Sequence, residues 1–434
     1  MDHKSTYLSK KRTPQDAVAL VKDNSSVFLN CEPMALMTAL KDQKDRFSRL
    51  YSHTMLSLRS TEAQEVMLSP EVDRRFFNVV CYYGKAEGET AKRGSPVEQV
   101  ICSFSQYESY IERIKPEYLL ANVSPMDGEG YFSLGYAPNG RVAIDAGAKV
   151  ILQVNNHMPF ITSDYYKVHI SEVAALCESD HPVMEFFDAK PSKIDEEVAS
   201  HIIERIPDGA TIQLGIGGLP SAIGVFLKDH KDLGIHTEMF SDTMTRLMKQ
   251  GVVNNSKKKL YPGVSVSSFF QGSKETNDFI HNNKDVLNKK LAWANDSEII
   301  AQNNDMISIN SCLAVDLRGQ VCSESLGFNT SGGAGGQLDF ARGARKSSGG
   351  KSFIAMHSVA EKKNGDRISK ISLALPLGSI VTTPRTDVQY IVTEYGVAEM
   401  ENRTVSERAL NLIAIAHPDY REQLRFEAKQ NGYI

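Results

Sequence analysis

The sequence predicts an α/β protein of two domains built on mainly parallel sheets, and three observations carry that prediction. Its 434 residues exceed the size at which one hydrophobic core keeps growing. Apolar runs of strand length alternate with helix-length segments, the pattern of parallel strands joined by helical crossovers. A stretch at 180–195, carrying Pro182 and Pro191, interrupts this pattern, and the alternation then begins again. The domains are expected at 1–190 and 191–434.

Taken in order, 13–23 reads as a short helix with Ala17, Val18, Leu20 and Val21 on its buried side, followed by a strand at 26–30. Helices are predicted at 33–45 and 61–68, and strands at 77–83, 99–104, 118–123 and 148–154. Past the boundary, a helix at 195–205 opens on acidic residues, as helix starts prefer. A strand at 210–214, a glycine turn and a helix at 220–228 follow. Further strands are expected at 307–310, 352–356, 371–374 and 390–392, and helices at 406–415 and 419–431. Stretches 118–130 and 306–319 share an outline of strand, Asp/Gly turn and second apolar run. That outline reads either as a duplicated αβ unit or as two unrelated hairpins.

Bulk properties exclude several classes. A net charge of -4 argues against a nucleic-acid-binding protein, which usually shows a strongly basic face. No run of 18 apolar residues is present to span a membrane, and no apolar segment of signal-peptide length follows the basic start. The six cysteines form no CxxC pair, which suits reduced thiols in the cytoplasm better than a disulfide framework or a zinc site. No ligand cluster stands out, so no metal is expected.

Several segments can carry chemistry. Gln213-Leu-Gly-Ile-Gly-Gly-Leu219 is a glycine-rich turn between a strand and a helix. Such a turn admits close backbone approach and aims helix-start N–H groups at an anion or oxyanion, or it is simply a tight structural turn. It lacks the Gly-Lys-Ser/Thr ending of a phosphate-binding P-loop and makes only half of a dinucleotide fingerprint. A second cluster packs Gly332, Gly333, Gly335 and Gly336 into five positions. A ligand-facing loop accounts for it better than a flexible linker, because Gln337, Asp339 and Phe340 beside it are specific rather than low-complexity. From Asp339 to Lys370, eight basic residues stand against three acids, a bias that serves either a phosphorylated ligand or a solvated surface. Glu238 lies in a short apolar run with Ile235, Met239 and Phe240, where a carboxylate is either paired or functional because unpaired burial is expensive. Glu394 and Tyr395, at the end of a predicted strand, read as rim residues of a site or as a subunit contact.

Together the segments GIGGLPSAIG (215–224), GIHTEMFSD (234–242), GGAGGQLDFARGA (332–344), DVQYIVTEYGVAEM (387–400) and IAHPDYR (415–421) resemble the acetyl-CoA hydrolase/transferase family. Within it they resemble the 4-hydroxybutyrate and butyryl-CoA:acetate transferase branch. VSPMDGEGYFSLG (123–135) and VNNHMPF (154–160) look like the corresponding earlier stretches, so the resemblance spans about 115–425. It implies two related open α/β domains of CoA-transferase type with the active site between them. Carried over, Glu238 is the nucleophile. Gln213, Gly215, Ile216, Gly217, Gly218 and Leu219 form a CoA-facing loop, Gly335 and Gly336 line the oxyanion and thioester pocket, and Asn310 and Leu313 form part of its wall. Coenzyme A and acyl-CoA are then substrates, with no permanently bound cofactor, short carboxylic acids are the other substrates, and a homodimer or larger assembly is expected. Three places depart from the family pattern: Thr243 stands where glycine is common, Met400-Glu-Asn-Arg403 replaces an Arg-Gly, and residues 27–36 lack the expected glycines.

The implied reaction moves CoA between 4-hydroxybutyrate, butyrate or acetate, with itaconate or succinate as further candidates, through a glutamyl-CoA thioester. The alternatives are an acyl-CoA hydrolase using the same glutamate, an NAD-dependent oxidoreductase in which Glu238 holds a ribose, and a non-catalytic CoA-binding protein.

Overall fold

The computed structural model describes residues 2–188, 190–215, 218–362 and 364–434. The chain forms two compact units, Met1–Phe186 with Ser267–Trp293, and Phe187–Val266 with Ala294–Ile434.

The first unit is built on a seven-stranded sheet of β1 (Ser25–Asn30), β2 (Leu50–Leu56), β3 (Phe76–Tyr82), β4 (Val97–Gln99), β5 (Tyr118–Val123), β6 (Lys149–Val154) and β7 (Val173–Glu178). The spatial order is β4-β3-β2-β1-β5-β6-β7, and every neighbouring pair is parallel. β5 is buried along its whole length, as expected of a central strand covered on both faces. Helix α1 (Met34–Asp42) buries Met34, Leu36, Met37, Ala39 and Leu40. The late segment Ser267–Trp293 belongs to this unit through specific contacts. Phe269 packs edge-on against Phe104, Phe270 against Tyr136, and the Leu291 N–H donates to Glu108 Oε1 at 2.9 Å.

The second unit carries a six-stranded sheet of β8 (Thr211–Leu214), β9 (Gly234–Ile235), β10 (Met306–Ser311), β11 (Lys351–Ala355), β12 (Tyr390–Thr393) and β13 (Gly396–Glu399). The order is β9-β8-β10-β11-β12-β13, parallel except for the closing β12–β13 hairpin. In each sheet the strand order reverses once, between β1 and β5 and between β8 and β10. Open α/β sheets bind ligands outside the carboxyl ends of the strands at such a reversal. β5 and β10, the strands of the two stretches with a shared outline, occupy equivalent places beside it.

The mainly parallel α/β class agrees with the sequence expectation, and most predicted strands fall within a residue or two of observed ones. Three do not. The expected strand at 99–104 ends at Gln99, and Phe104 opens helix α2 (Phe104–Ile114), whose Tyr107 and Ile111 turn inward at helical spacing. The run at 371–374 shrinks to Ile371–Ser372 in a small side sheet. The helix at 13–23 is limited to Pro14–Val18.

Candidate active site

Glu238 stands in a bend just past β9, and the residues before it fix where its carboxylate points. β9 is only two residues long and is held by side chains as much as by its sheet partner. Asn255 Oδ1 accepts from the Ile235 N–H at 2.9 Å, and the buried Lys258 ammonium donates to the Ile235 carbonyl at 2.8 Å and the Val264 carbonyl at 2.7 Å. Burial pulls the Lys258 pKa down to about 7, and its two carbonyl partners identify it as a strut. His236, fully buried, adds one bridge to Val266. Its Nε2–H donates to the Ala294 carbonyl at 3.0 Å, so Nδ1 accepts from Asn303 Nδ2 at 3.2 Å. Burial lowers its pKa to about 4 and keeps the ring neutral. His236 thus ties the strand end to the residue before Asn295, and Asn295 Nδ2 donates to Glu238 Oε2 at 2.9 Å.

The glycine loop closes the remaining side. Gly336 is the N-cap of the ten-residue helix Gln337–Lys346, and a Cβ on it would overlap both Glu238 Oε2 and Asn295 Nδ2. Only glycine allows this approach. Gly335 turns the chain just before it, at φ +56°. The carboxylate therefore faces the amino end of a helix, whose partial positive charge favours an anion. Glu238 is half-buried: protein atoms crowd its carboxyl, yet part of the residue stays open to solvent. Burial is the largest influence and pushes its pKa up to about 7; the Asn295 N–H opposes this, and Asp339 in the first turn of the helix adds to it. The result is a carboxyl group in a partly closed seat with one side-chain donor, about half ionised at neutral pH, whose ionised form can act as a nucleophile.

Gln213 and Asn310 meet each other at the sheet reversal. Gln213 Nε2 donates to Asn310 Oδ1 and Asn310 Nδ2 to Gln213 Oε1, each at 3.1 Å, and the Ser308 hydroxyl donates to Gln213 Oε1 at 2.9 Å. Gly215 follows the end of β8, Gly218 opens the helix Gly218–Phe226, and Leu219 is buried in its first turn. Ile216 and Gly217 lie outside the described residues. Leu313 sits half-buried in the turn after β10, its N–H on the Cys322 carbonyl at 2.8 Å. The structure thus gathers Glu238, Gly335 and Gly336, and separately pairs Gln213 with Asn310.

Sequence reasoning missed Asn295, which carries no motif signal, and the bracing role of His236, whose position two residues before the acid was visible. The basic bias after Asp339 is largely spent on internal partners. Arg342 pairs with Asp387 at 3.1 Å and Arg345 with Glu401 at 2.9 Å; Lys346 pairs with Glu298, and Lys370 Nζ donates to the Cys312 carbonyl at 3.0 Å. Lys363 lies outside the described residues. Glu394, at the tip of the β12–β13 hairpin, accepts from the Ser358 N–H at 2.9 Å and its hydroxyl at 2.5 Å.

The departures have structural accounts. Thr243 takes the space above Gly224, where a Cβ would overlap its methyl group, and its hydroxyl donates to Asp188 at 2.6 Å. Met400 is fully buried in the second unit's core, while Arg403 pairs with Glu399. Where glycine is missing after β1, Cys31 and Glu32 adopt left-handed backbone angles, φ 60° and 44°.

Residues 272–428 match the acetyl-CoA hydrolase/transferase C-terminal domain. The chain is 37% identical over 436 residues, covering 99% of it and 100% of the relative, to the 4-hydroxybutyrate coenzyme A transferase of Clostridium kluyveri. Among solved structures, RipA of Yersinia pestis superposes with a TM-score of 0.94 at 33% identity, with full coverage of both chains. The 4-hydroxybutyrate CoA-transferase of Porphyromonas gingivalis superposes with a TM-score of 0.81 at 32% identity over 99% of each chain.

Proposed function

This chain belongs to the acetyl-CoA hydrolase/transferase family, and from that premise we propose that it moves CoA between an acyl-CoA and a short carboxylic acid through a covalent thioester on Glu238. The observation that carries the mechanistic part is the seat of Glu238, a half-open carboxylate against Gly336 and the helix start, with Asn295 donating to it.

In this reading a Glu238 carboxylate oxygen attacks the acyl-CoA carbonyl carbon. The carbon–sulfur bond breaks, and CoA leaves as thiolate from an acyl-glutamyl anhydride. The thiolate then attacks the glutamyl carbonyl, the anhydride carbon–oxygen bond breaks, and the acid departs as its carboxylate. An incoming carboxylate reverses both steps. One anion is exchanged for another throughout, so no proton is gained or lost. Each attack builds negative charge on oxygen, which the N–H groups at Gly335, Gly336 and the helix start can stabilise. The same reading assigns CoA to the loop that begins at Gln213, with Asn310 and Leu313.

Acyl-CoA consumption should depend on added acid. With a single acyl-CoA donor and a panel of 4-hydroxybutyrate, butyrate, acetate, itaconate and succinate, loss of the donor acyl-CoA, followed by chromatography because transfer conserves the thioester bond, should be slow without acceptor. It should rise with acceptor concentration while new acyl-CoA appears. Rapid, acceptor-independent consumption would make the chain a hydrolase.

The pH profile tests the seat of the carboxylate. Only ionised Glu238 attacks, and its pKa is raised to about 7, so kcat/KM should climb with pH to a plateau above that value. Removing the Asn295 N–H withdraws the influence that lowers this pKa. In Asn295→Ala the ascending limb should therefore move to higher pH, with kcat down on the order of tenfold to a hundredfold. An unmoved limb would separate Asn295 from the nucleophile.

A further inference from the structure

The first unit carries a pair of thiols that the proposed reaction leaves unused. Cys81 lies near the end of β3, and Cys102 lies between the edge strand β4 and helix α2. Their sulfurs stand 3.6 Å apart. The two differ in access: Cys81 is buried, whereas Cys102 is half-buried and follows the strongly exposed Ile101. A hydrogen bond from the Cys81 thiol favours the charged form of Cys102 and holds its pKa below the ordinary thiol value, against the opposing effect of burial. The buried thiols of Cys31, Cys177 and Cys312 go the other way, pushed up to about 12. Tyr107, on the inward face of α2, is fully buried; its hydroxyl has no hydrogen-bond partner among the described residues and lies within electrostatic reach of both sulfurs. It is a spare donor beside a group that must become charged to react.

An accessible thiol of lowered pKa with a second thiol beside it is the arrangement that exchanges with disulfides, because the first thiolate attacks and its neighbour resolves the mixed disulfide. We propose that Cys102 and Cys81 form a reversible thiol–disulfide site, in which Cys102 attacks a small-molecule disulfide and Cys81 completes an internal bridge. In the first step Cys102 gives its proton to solvent and its thiolate attacks one sulfur of the small disulfide. That S–S bond breaks, and one half leaves as a thiolate that takes up a proton. In the second step Cys81 loses its proton and attacks the Cys102 sulfur, and the other half leaves in the same way. Two protein thiols are oxidised, and one small disulfide is reduced to two thiols. The sulfurs have to close from 3.6 Å to the roughly 2.0 Å of a bond. The bridge ties the connection after β4 back to β3 and closes a ring over residues 82–101, which include the helix Lys85–Lys92.

The test incubates the full-length protein with oxidised glutathione, blocks the remaining thiols with N-ethylmaleimide in denaturant, and maps the peptides by mass spectrometry without reduction. Before blocking, the wild type should lose about 2 Da, the mass of two hydrogen atoms, with Cys81 and Cys102 joined and the other four cysteines free to be blocked. Dithiothreitol should restore both thiols. In Cys81→Ser, glutathione should stay on Cys102 as a mixed disulfide. In Cys102→Ser, Cys81 should remain reduced, because burial keeps the oxidant from it. A wild type that stays fully reduced, that keeps glutathione on Cys102 without forming the bridge, or that joins either thiol to another cysteine would overturn the proposal. Should Cys81→Ser fail to fold, a brief exposure of the native wild type to iodoacetamide replaces it. Cys102 should then be alkylated about tenfold faster than any other cysteine, and an equal rate would remove it as the attacking thiol. None of these readouts depends on transfer of CoA.

Discussion

Replacing Glu238 with alanine should abolish the covalent intermediate and lower transfer by roughly 10,000-fold or more, the scale on which removing a nucleophile acts. Wild-type protein incubated with acyl-CoA and no acceptor should gain the mass of CoA less one water. Hydroxylamine should then inactivate it by converting the glutamyl thioester to a hydroxamate. Glu238→Ala should show neither effect while keeping its fold, because the residue lies in a bend and its only described hydrogen bond is to Asn295. Glu238→Asp should also be poor. Removing one methylene draws the carboxylate back by about 1.5 Å, and a misplacement of that size costs on the order of a hundredfold. An adduct on one of the six cysteines instead would reopen the choice of nucleophile.

The second large effect is expected at Gly336. Alanine suits its backbone angles, φ −105° and ψ 7°, so the loop and the helix behind it should form. The new methyl group would nevertheless occupy the place of Glu238 Oε2 and the Asn295 amide. The carboxylate must swing away from the helix start, and kcat should fall by about a hundredfold to a thousandfold with the melting temperature little changed. Valine should be worse. Wild-type turnover in a folded Gly336→Ala protein would remove the glycine loop from the site.

These two positions were legible in the sequence because each lies inside a short, dense motif. The neighbours that the fold gives them were not. Asn295 reaches Glu238 across 57 residues of chain. The same distance effect hid two strands of the first sheet. β2 reads as polar because of Ser52, His53 and Thr54, yet Ser52 donates to Asn78 on β3 at 2.5 Å and His53 bonds the Tyr110 hydroxyl at 2.7 Å. β7 contains adjacent alanines that suit a helix as well as a strand, and its pairing with β6 decides the matter. Helix α2 was misread for a related reason: a window ending at Phe104 stops before Tyr107 and Ile111 reveal the helical period.

The chain passes between its two units three times, leaving the first at Phe186, re-entering it at Ser267 and leaving again at Trp293. No single cut can free either unit. A fragment containing only the later half would strand Phe269, Phe270 and Leu291 without the Phe104, Tyr136 and Glu108 partners they have in the whole chain. During synthesis, the first unit likewise waits for chain made after Phe187–Val266 of the second unit has already emerged. Its nascent form must remain incomplete, and in need of protection, until Trp293 has left the ribosome.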